Sequence, residues 1–142
     1  MILIFGGAYQ GKTAFAKETF GLDDAEIACC TEAGIPSADI PAAGVKAIAW
    51  LEQALLGYIK KDSPVTGSDD PAGETPAAGF LRVYGPQLKD KIVIVTDISQ
   101  GLVPLDPTER LWREEAGRLT TALAREAEEV YRLFCGIPQR LK

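Results

Sequence analysis

The chain contains no histidine. That removes the imidazole base, the imidazole nucleophile and the commonest nitrogen ligand of protein metal sites together. Cysteine is scarce. Cys29 and Cys30 adjoin and Cys135 stands far away, an odd set without metal-ligand spacing that points to reduced thiols in a cytoplasmic setting. Positive charge is not in excess either. The net charge is −5 at pH 7, which argues against a general nucleic-acid surface with its basic face. No apolar run approaches the ~20 residues of a membrane span. The apolar N-terminus lacks a basic leader and a small-residue cleavage site, so it does not read as a signal peptide. No internal repeat is visible. The 142 residues, 46% hydrophobic and 25% charged, read as a single domain over 1–142.

What is present begins at residue 1. Met1-Ile2-Leu3-Ile4-Phe5 is an apolar run of strand length. Gly6-Gly7-Ala8-Tyr9-Gln10-Gly11-Lys12-Thr13 follows at once, with the glycine, glycine-lysine-threonine spacing of the Walker A motif or P-loop. Such a loop turns its backbone N–H groups inward around phosphate oxygens. Gly6 and Gly11 permit the close approach, Lys12 carries charge to the β- and γ-phosphates, and the Thr13 hydroxyl is a ligand for Mg²⁺. The segment Thr13–Phe20 reads as a helix stopped by Gly21, and its N-terminus faces the same anion. The cofactors expected are therefore ATP or GTP with Mg²⁺.

Further along, Ala25–Thr31 reads as a second strand, with Cys29 and Cys30 on opposite faces and Cys30 in a small buried role. From Ala42 to Lys61, Val45, Ile48, Leu51, Leu55 and Ile59 recur at helical steps. Trp50 lies off that stripe, and packing at a flank is favoured for it over ligand stacking or a subunit contact. Residues 62–79 hold three prolines and several acids without apolar period, and read as a long flexible loop, a lid or an insertion. Phe80–Tyr84 fits a short strand or a helical turn, ended by Gly85-Pro86. Ile92-Val93-Ile94-Val95 suits a strand buried on both faces, and it leads to Asp97, in the place of a Walker B carboxylate that shares Mg²⁺ with Thr13. Asp106-Pro107-Thr108-Glu109 then caps a long helix whose buried stripe is Trp112, Ala116, Leu119, Leu123 and Ala127. Glu109–Arg113 and Glu114–Arg118 are spaced as solvated i,i+4 pairs. Glu129–Cys135 reads as a strand, and 136–142 as a turn with a basic tail. This order predicts an α/β, three-layer P-loop NTPase-like fold: a mainly parallel sheet, helices on both faces, and the P-loop strand central.

The C-terminal third adds a resemblance. Gly101-Leu102-Val103-Pro104, Trp112-Arg113-Glu114-Glu115-Ala116-Gly117-Arg118, Glu128-Glu129-Val130-Tyr131, Gly136-Ile137-Pro138 and Arg140-Leu141-Lys142 occur in one order and spacing. With Gly6-Gly7-Ala8, they resemble the bifunctional adenosylcobinamide kinase / adenosylcobinamide-phosphate guanylyltransferase family over residues 1–31 and 91–142. The resemblance implies a P-loop α/β fold, a homotrimer, a corrinoid substrate and a place in cobalamin biosynthesis. The family phosphorylates the aminopropanol hydroxyl of adenosylcobinamide, then transfers GMP through a guanylylated histidine. Its acidic residue in an Asn-Glu-Val-Gly segment falls on Asp97, and the glycine of that segment becomes Ser99. Its nucleophilic histidine has no counterpart, and its Asp-Cys-Leu-Thr strand has no clear match.

The expected function is therefore nucleotide-dependent phosphoryl transfer without the histidine-linked guanylyl step. Backbone amides of 7–12, with Ala8, Tyr9 and Gln10 in the loop, would hold phosphate; Lys12 and Asp97 would carry the chemistry; Thr13 and Asp97 would hold the metal. Two other readings remain: a non-catalytic nucleotide-binding partner of a full-length homologue, and a different small P-loop kinase.

Overall fold

Continuous apolar runs become strands where both faces can be covered, and here two of them, at residues 2–5 and 92–95, meet at the centre of one sheet. The computed structural model describes residues 1–36, 44–62 and 74–142. Strand β1 (Ile2–Gly6) is followed by helix α1 (Lys12–Phe20), strands β2 (Ile27–Cys29) and β3 (Ala47–Ala49), and helices α2 (Leu51–Asp62) and α3 (Pro76–Leu88). Strand β4 (Ile92–Thr96), helix α4 (Pro107–Glu126), β5 (Glu129–Phe134) and β6 (Ile137–Arg140) complete the order. The sheet runs β2-β3-β4-β1-β5-β6. Its pairings are parallel except the last, β5 with β6. Strand β1, which runs into the glycine-rich loop, is thus central, with Gly6 opposite Thr96 on one side and Leu133 on the other.

Alternation along the strands sorts the core into two layers. Ile4, Ile92, Ile94 and Leu133 pack with Ala16 and Leu22 under α1. Leu3, Val93, Val95 and Val130 pack with residues of α2, α3 and α4, among them Leu55, Phe80, Leu119 and Leu123. Each such fully buried side chain contributes roughly 1.5–3 kcal/mol. Helix α4 starts as its sequence predicts: Asp106 accepts from the Glu109 amide at 3.0 Å and Pro107 opens the first turn.

Four expectations change. Residues 42–61 are not one helix. Ala47-Ile48-Ala49 is a fully buried strand between β2 and β4, and the helix starts only at Leu51. An apolar step of three from Val45 to Ile48 to Leu51 imitates helical period across a strand-to-helix junction. The junction is Trp50, which holds a left-handed φ of 61° and gives its amide to the Ile94 carbonyl. Its indole is 45% exposed, so flank packing describes it only in part.

The loop expected over 62–79 ends earlier. Thr75 caps α3 by accepting from the Ala78 amide at 3.3 Å, with Pro76 in the first turn; residues 63–73 lie outside the described ones. Phe80–Tyr84 is helical, and Gly85-Pro86 does not end it, because α3 continues to Leu88. Pro86 costs α3 one backbone bond near its end, and Phe80 and Leu88, both buried, hold the segment down against that loss. The tail is not loose either. Residues 137–140 form edge strand β6, with Pro138 opposite Leu133 where a missing N–H is tolerated.

Candidate nucleotide site

The loop from Gly6 to Thr13 leaves the carboxyl end of β1 and returns as α1. Gly6 has a φ of 156°, and a β-carbon there would lie 2.4 Å from the Leu133 carbonyl oxygen. Only glycine lets the two strands close at this point. Gly11 is the N-cap residue of α1, in a left-handed conformation without a side-chain cap, and the first turn of the helix holds no acid. The positive end of the helix dipole is left uncompensated for an anion. Tyr9, also left-handed at φ 58°, is fully exposed on the loop. The Gln10 side-chain oxygen accepts from the Cys135 amide, so the loop is tied to the turn between β5 and β6.

Lys12 reaches back over the loop. Its Nζ donates to the Gly7 carbonyl at 2.6 Å, and the residue is only 7% exposed. Burial lowers the affinity of this amine for its proton, while the charges of Glu52 and Asp97 oppose that shift. Thr13 follows it in the first turn of α1, half-buried.

Asp97 stands just past β4, and its amide donates to the Gly6 carbonyl at 2.9 Å, so the carboxylate and the loop are joined through the backbone. Its Oδ1 accepts from the Ser99 amide at 2.9 Å and from the Ser99 hydroxyl. Burial alone would raise this carboxyl, but the Ser99 bonds, a Gln100 hydrogen bond and the charge of Arg132 together hold it below its ordinary value. A carboxylate and a threonine hydroxyl are hard oxygen donors of the kind Mg²⁺ takes, with phosphate oxygens and water completing its shell. Among the described residues no cluster of three or more His, Cys, Asp or Glu could hold a metal without such help.

Glu52 was not legible as a site residue. It lies in the first turn of α2 and is 2% exposed; its carboxylate accepts from the Thr96 amide at 3.0 Å. Burial pushes its carboxyl above the ordinary range, against the Thr96 bonds and the Lys12 charge. The Trp112 indole N–H donates to its carbonyl at 2.7 Å and fastens α4 to the same turn. The only sequence signal was one acid within an apolar run. A second carboxylate, contributed from beyond β3 and held at the Thr96 amide, thus acts electrostatically on the same lysine.

Arg113 is not a solvated partner of Glu109. It donates to the carbonyls of Ser99, Gly101 and Leu102, and so holds the loop that follows Asp97. Arg118 does pair with Glu114, and it also reaches the wholly buried Glu115 at 2.6 Å. Beside Asp97 a cavity of about 530 Å³ opens between α4 and the sheet, walled by Phe5, Val130, Ala116, Gly117 and Ala124. Cys30 is buried, as expected, and burial with the charges of Glu52 and Cys29 pushes its thiol up to about 12, which leaves no reactive thiolate. No helix among the described residues is long and apolar enough to cross a membrane.

A family model described as cobinamide kinase / cobinamide phosphate guanyltransferase matches residues 49–141, well over half of the chain. No curated protein matches. The matched segment begins at the end of β3 and takes in Glu52, Asp97 and the β5–β6 turn. It spans α2 and α3, where the sequence motifs showed no likeness, and it starts after the glycine-rich loop.

Proposed function

Because the chain belongs to the cobinamide kinase / cobinamide phosphate guanyltransferase family, we propose that it is a nucleoside-triphosphate-dependent kinase of a cobinamide hydroxyl in cobalamin biosynthesis, without guanylyl transfer through histidine. The observation that carries this reading is the buried Lys12, held over the glycine-rich loop and flanked by the charges of Glu52 and Asp97. Phosphoryl transfer asks a protein mainly for positioning and charge neutralisation, and these groups supply both. The loop amides and Lys12 bind the β- and γ-phosphates. Thr13 and Asp97 hold Mg²⁺, which would neutralise charge on the transferring group. Arg113 keeps the loop after Asp97 in place, and the apolar cavity at Asp97 suits the aliphatic arm of an alcohol acceptor.

The guanylyl half is set aside on chemistry. A nitrogen nucleophile must be uncharged when it attacks, and the chain has no histidine to provide one. Lys46, the lysine nearest the family's nucleophile region, is largely exposed and engaged in an ion pair with Glu26 at 2.6 Å. The same lack of histidine favours one second reading, a nucleotide-binding partner of a full-length homologue.

Incubation of the protein with cobinamide, Mg²⁺ and ATP or GTP separates the two. Acceptor-dependent nucleotide consumption with a phosphorylated corrinoid by mass spectrometry is expected. Nucleotide binding with no acceptor-dependent turnover would leave the partner reading. GTP labelled at the α-phosphorus is expected to leave no protein band on alkaline denaturing gels. A stoichiometric band would overturn the exclusion of guanylyl transfer.

A further inference from the structure

The glycine-rich loop has neighbours on both sides of β1, and they differ. On the β4 side lie Asp97, whose amide donates to the Gly6 carbonyl at 2.9 Å, and, contributed from beyond β3, Glu52, whose carboxylate accepts from the Thr96 amide at 3.0 Å. Carboxylates and a lysine mark the metal and γ-phosphate end of a bound triphosphate. A triphosphate laid across the loop with that end at Asp97 would carry its α-phosphate and ribose toward the opposite neighbour, β5. Strand β5 ends there in a two-residue turn, Cys135-Gly136, with φ of 50° and 76°, the paired positive values of a type I′ hairpin. That turn touches the loop directly. The Cys135 amide donates to Gln10, and a β-carbon on Gly11 would stand 3.8 Å from the Gly136 Cα. The residues flanking the turn, Phe134 and Ile137, are register partners and so share one face. They are 64% and 70% exposed, an aromatic and an aliphatic side chain in solvent beside a phosphate loop.

We propose that the β5–β6 turn, with Phe134 and Ile137 as its apolar floor, binds the nucleoside end of the triphosphate by contact with the base face. The proposal rests on the P-loop reading of residues 6–13. A ring face reads π-surface rather than the hydrogen-bonding edge, so ATP and GTP are both accepted.

The test compares ATP, GTP and inorganic tripolyphosphate, each with Mg²⁺, by calorimetry on the wild-type chain and on Phe134→Ala, Ile137→Ala and Lys12→Ala. Tripolyphosphate has the phosphates and no nucleoside. Phe134→Ala is expected to weaken both nucleotides about ten-fold or more, as the loss of a base–aromatic contact does, and to leave tripolyphosphate unchanged. Ile137→Ala should act in the same direction but less, and Lys12→Ala should weaken all three ligands. Thermal melts establish that each variant is folded, and light scattering reports its size. Unchanged nucleotide affinity in both hairpin variants overturns the proposal. So does an equal loss for tripolyphosphate, which would mean that the turn acts only through Gln10. A change of oligomeric state with nucleotide affinity retained assigns the pair to a subunit contact and also overturns it. Wild-type protein that binds none of the three ligands overturns the P-loop reading, and this proposal with it.

Discussion

Lys12→Ala tests the site at its centre. In the structure the amine is buried and bonded to the Gly7 carbonyl at 2.6 Å, so a triphosphate entering the loop meets a cation already in place. Truncating one partner of a buried, hydrogen-bonded charge pair costs about 2–5 kcal/mol. At 1.4 kcal/mol per decade that is roughly a thirty-fold to several-thousand-fold loss of affinity for ATP and GTP. The fold should lose far less. Burial already lowers the lysine's hold on its proton, so the unliganded protein bears a desolvation cost that the variant is spared. What is lost is one hydrogen bond, about 1 kcal/mol, and some stem packing. The midpoint should therefore move by only a few degrees, at about 2–4 °C per kcal/mol for a chain near this length. Lys12→Met restores the stem volume and should recover stability without recovering affinity. Calorimetry at saturating Mg²⁺ measures the first quantity and thermal melting the second. A folded Lys12→Ala protein whose nucleotide affinity stays within about two-fold of wild type refutes the reasoning, because no charged contact of this kind is worth so little.

Asp97→Asn keeps the shape of the side chain and removes its charge; nucleotide affinity should fall when Mg²⁺ is present and hardly change when EDTA is, and an equal response in both conditions argues against a metal role. Glu52→Gln should change the pH dependence of stability. Its carboxyl is raised above its ordinary 4.5, so in that window the folded state binds more protons than the unfolded one, and stability falls as pH rises through it. The Gln variant lacks that loss, so its melting temperature should gain on wild type from the ordinary carboxylate range toward neutrality, and a pH-independent gap would contradict the assignment. Glu115 is fully buried and accepts from the Ala77 amide at 2.8 Å, tying α4 to the start of α3. Glu115→Ala strands that N–H and should cost about 1–3 kcal/mol, whereas half-exposed Arg118 simply returns to water. Glu115→Gln keeps an acceptor and should melt closer to wild type; identical midpoints for the two variants would show that the bond carries nothing.

The parts of the molecule read correctly from sequence are those whose signal is local. The run at β1, the helix that starts right after Gly11, Gly21 as the end of α1, the β-branched run of β4 and the Asp106-Pro107 start of α4 each declare themselves within a few residues. Capping, turn and strand preferences are set by nearest neighbours, so composition in a short window suffices. Even the central place of β1 follows, since its continuous apolar run suits burial on both faces.

Tertiary structure decided what depends on distant partners. Ala47-Ile48-Ala49 is a strand because β2 and β4 leave a slot for it, and nothing in three apolar residues says so. Its capture moved the start of α2 to Leu51 and carried Glu52 to the end of β4, where its carboxylate accepts from the Thr96 amide and its charge acts on Lys12. Arg113 looked like a solvated helical charge because its acceptors are backbone carbonyls of another segment, and carbonyl direction is not written in side-chain identity. The tail became β6 because Cys135 and Gly136 both took positive φ, which lets Ile137 fold back onto Phe134 and sets the turn against Gln10. The glycine-rich spacing is thus a property of eight successive residues, while the neighbours of that loop, the end of β4 with Asp97 and the 134–137 turn, are brought to it by pairing across the sheet.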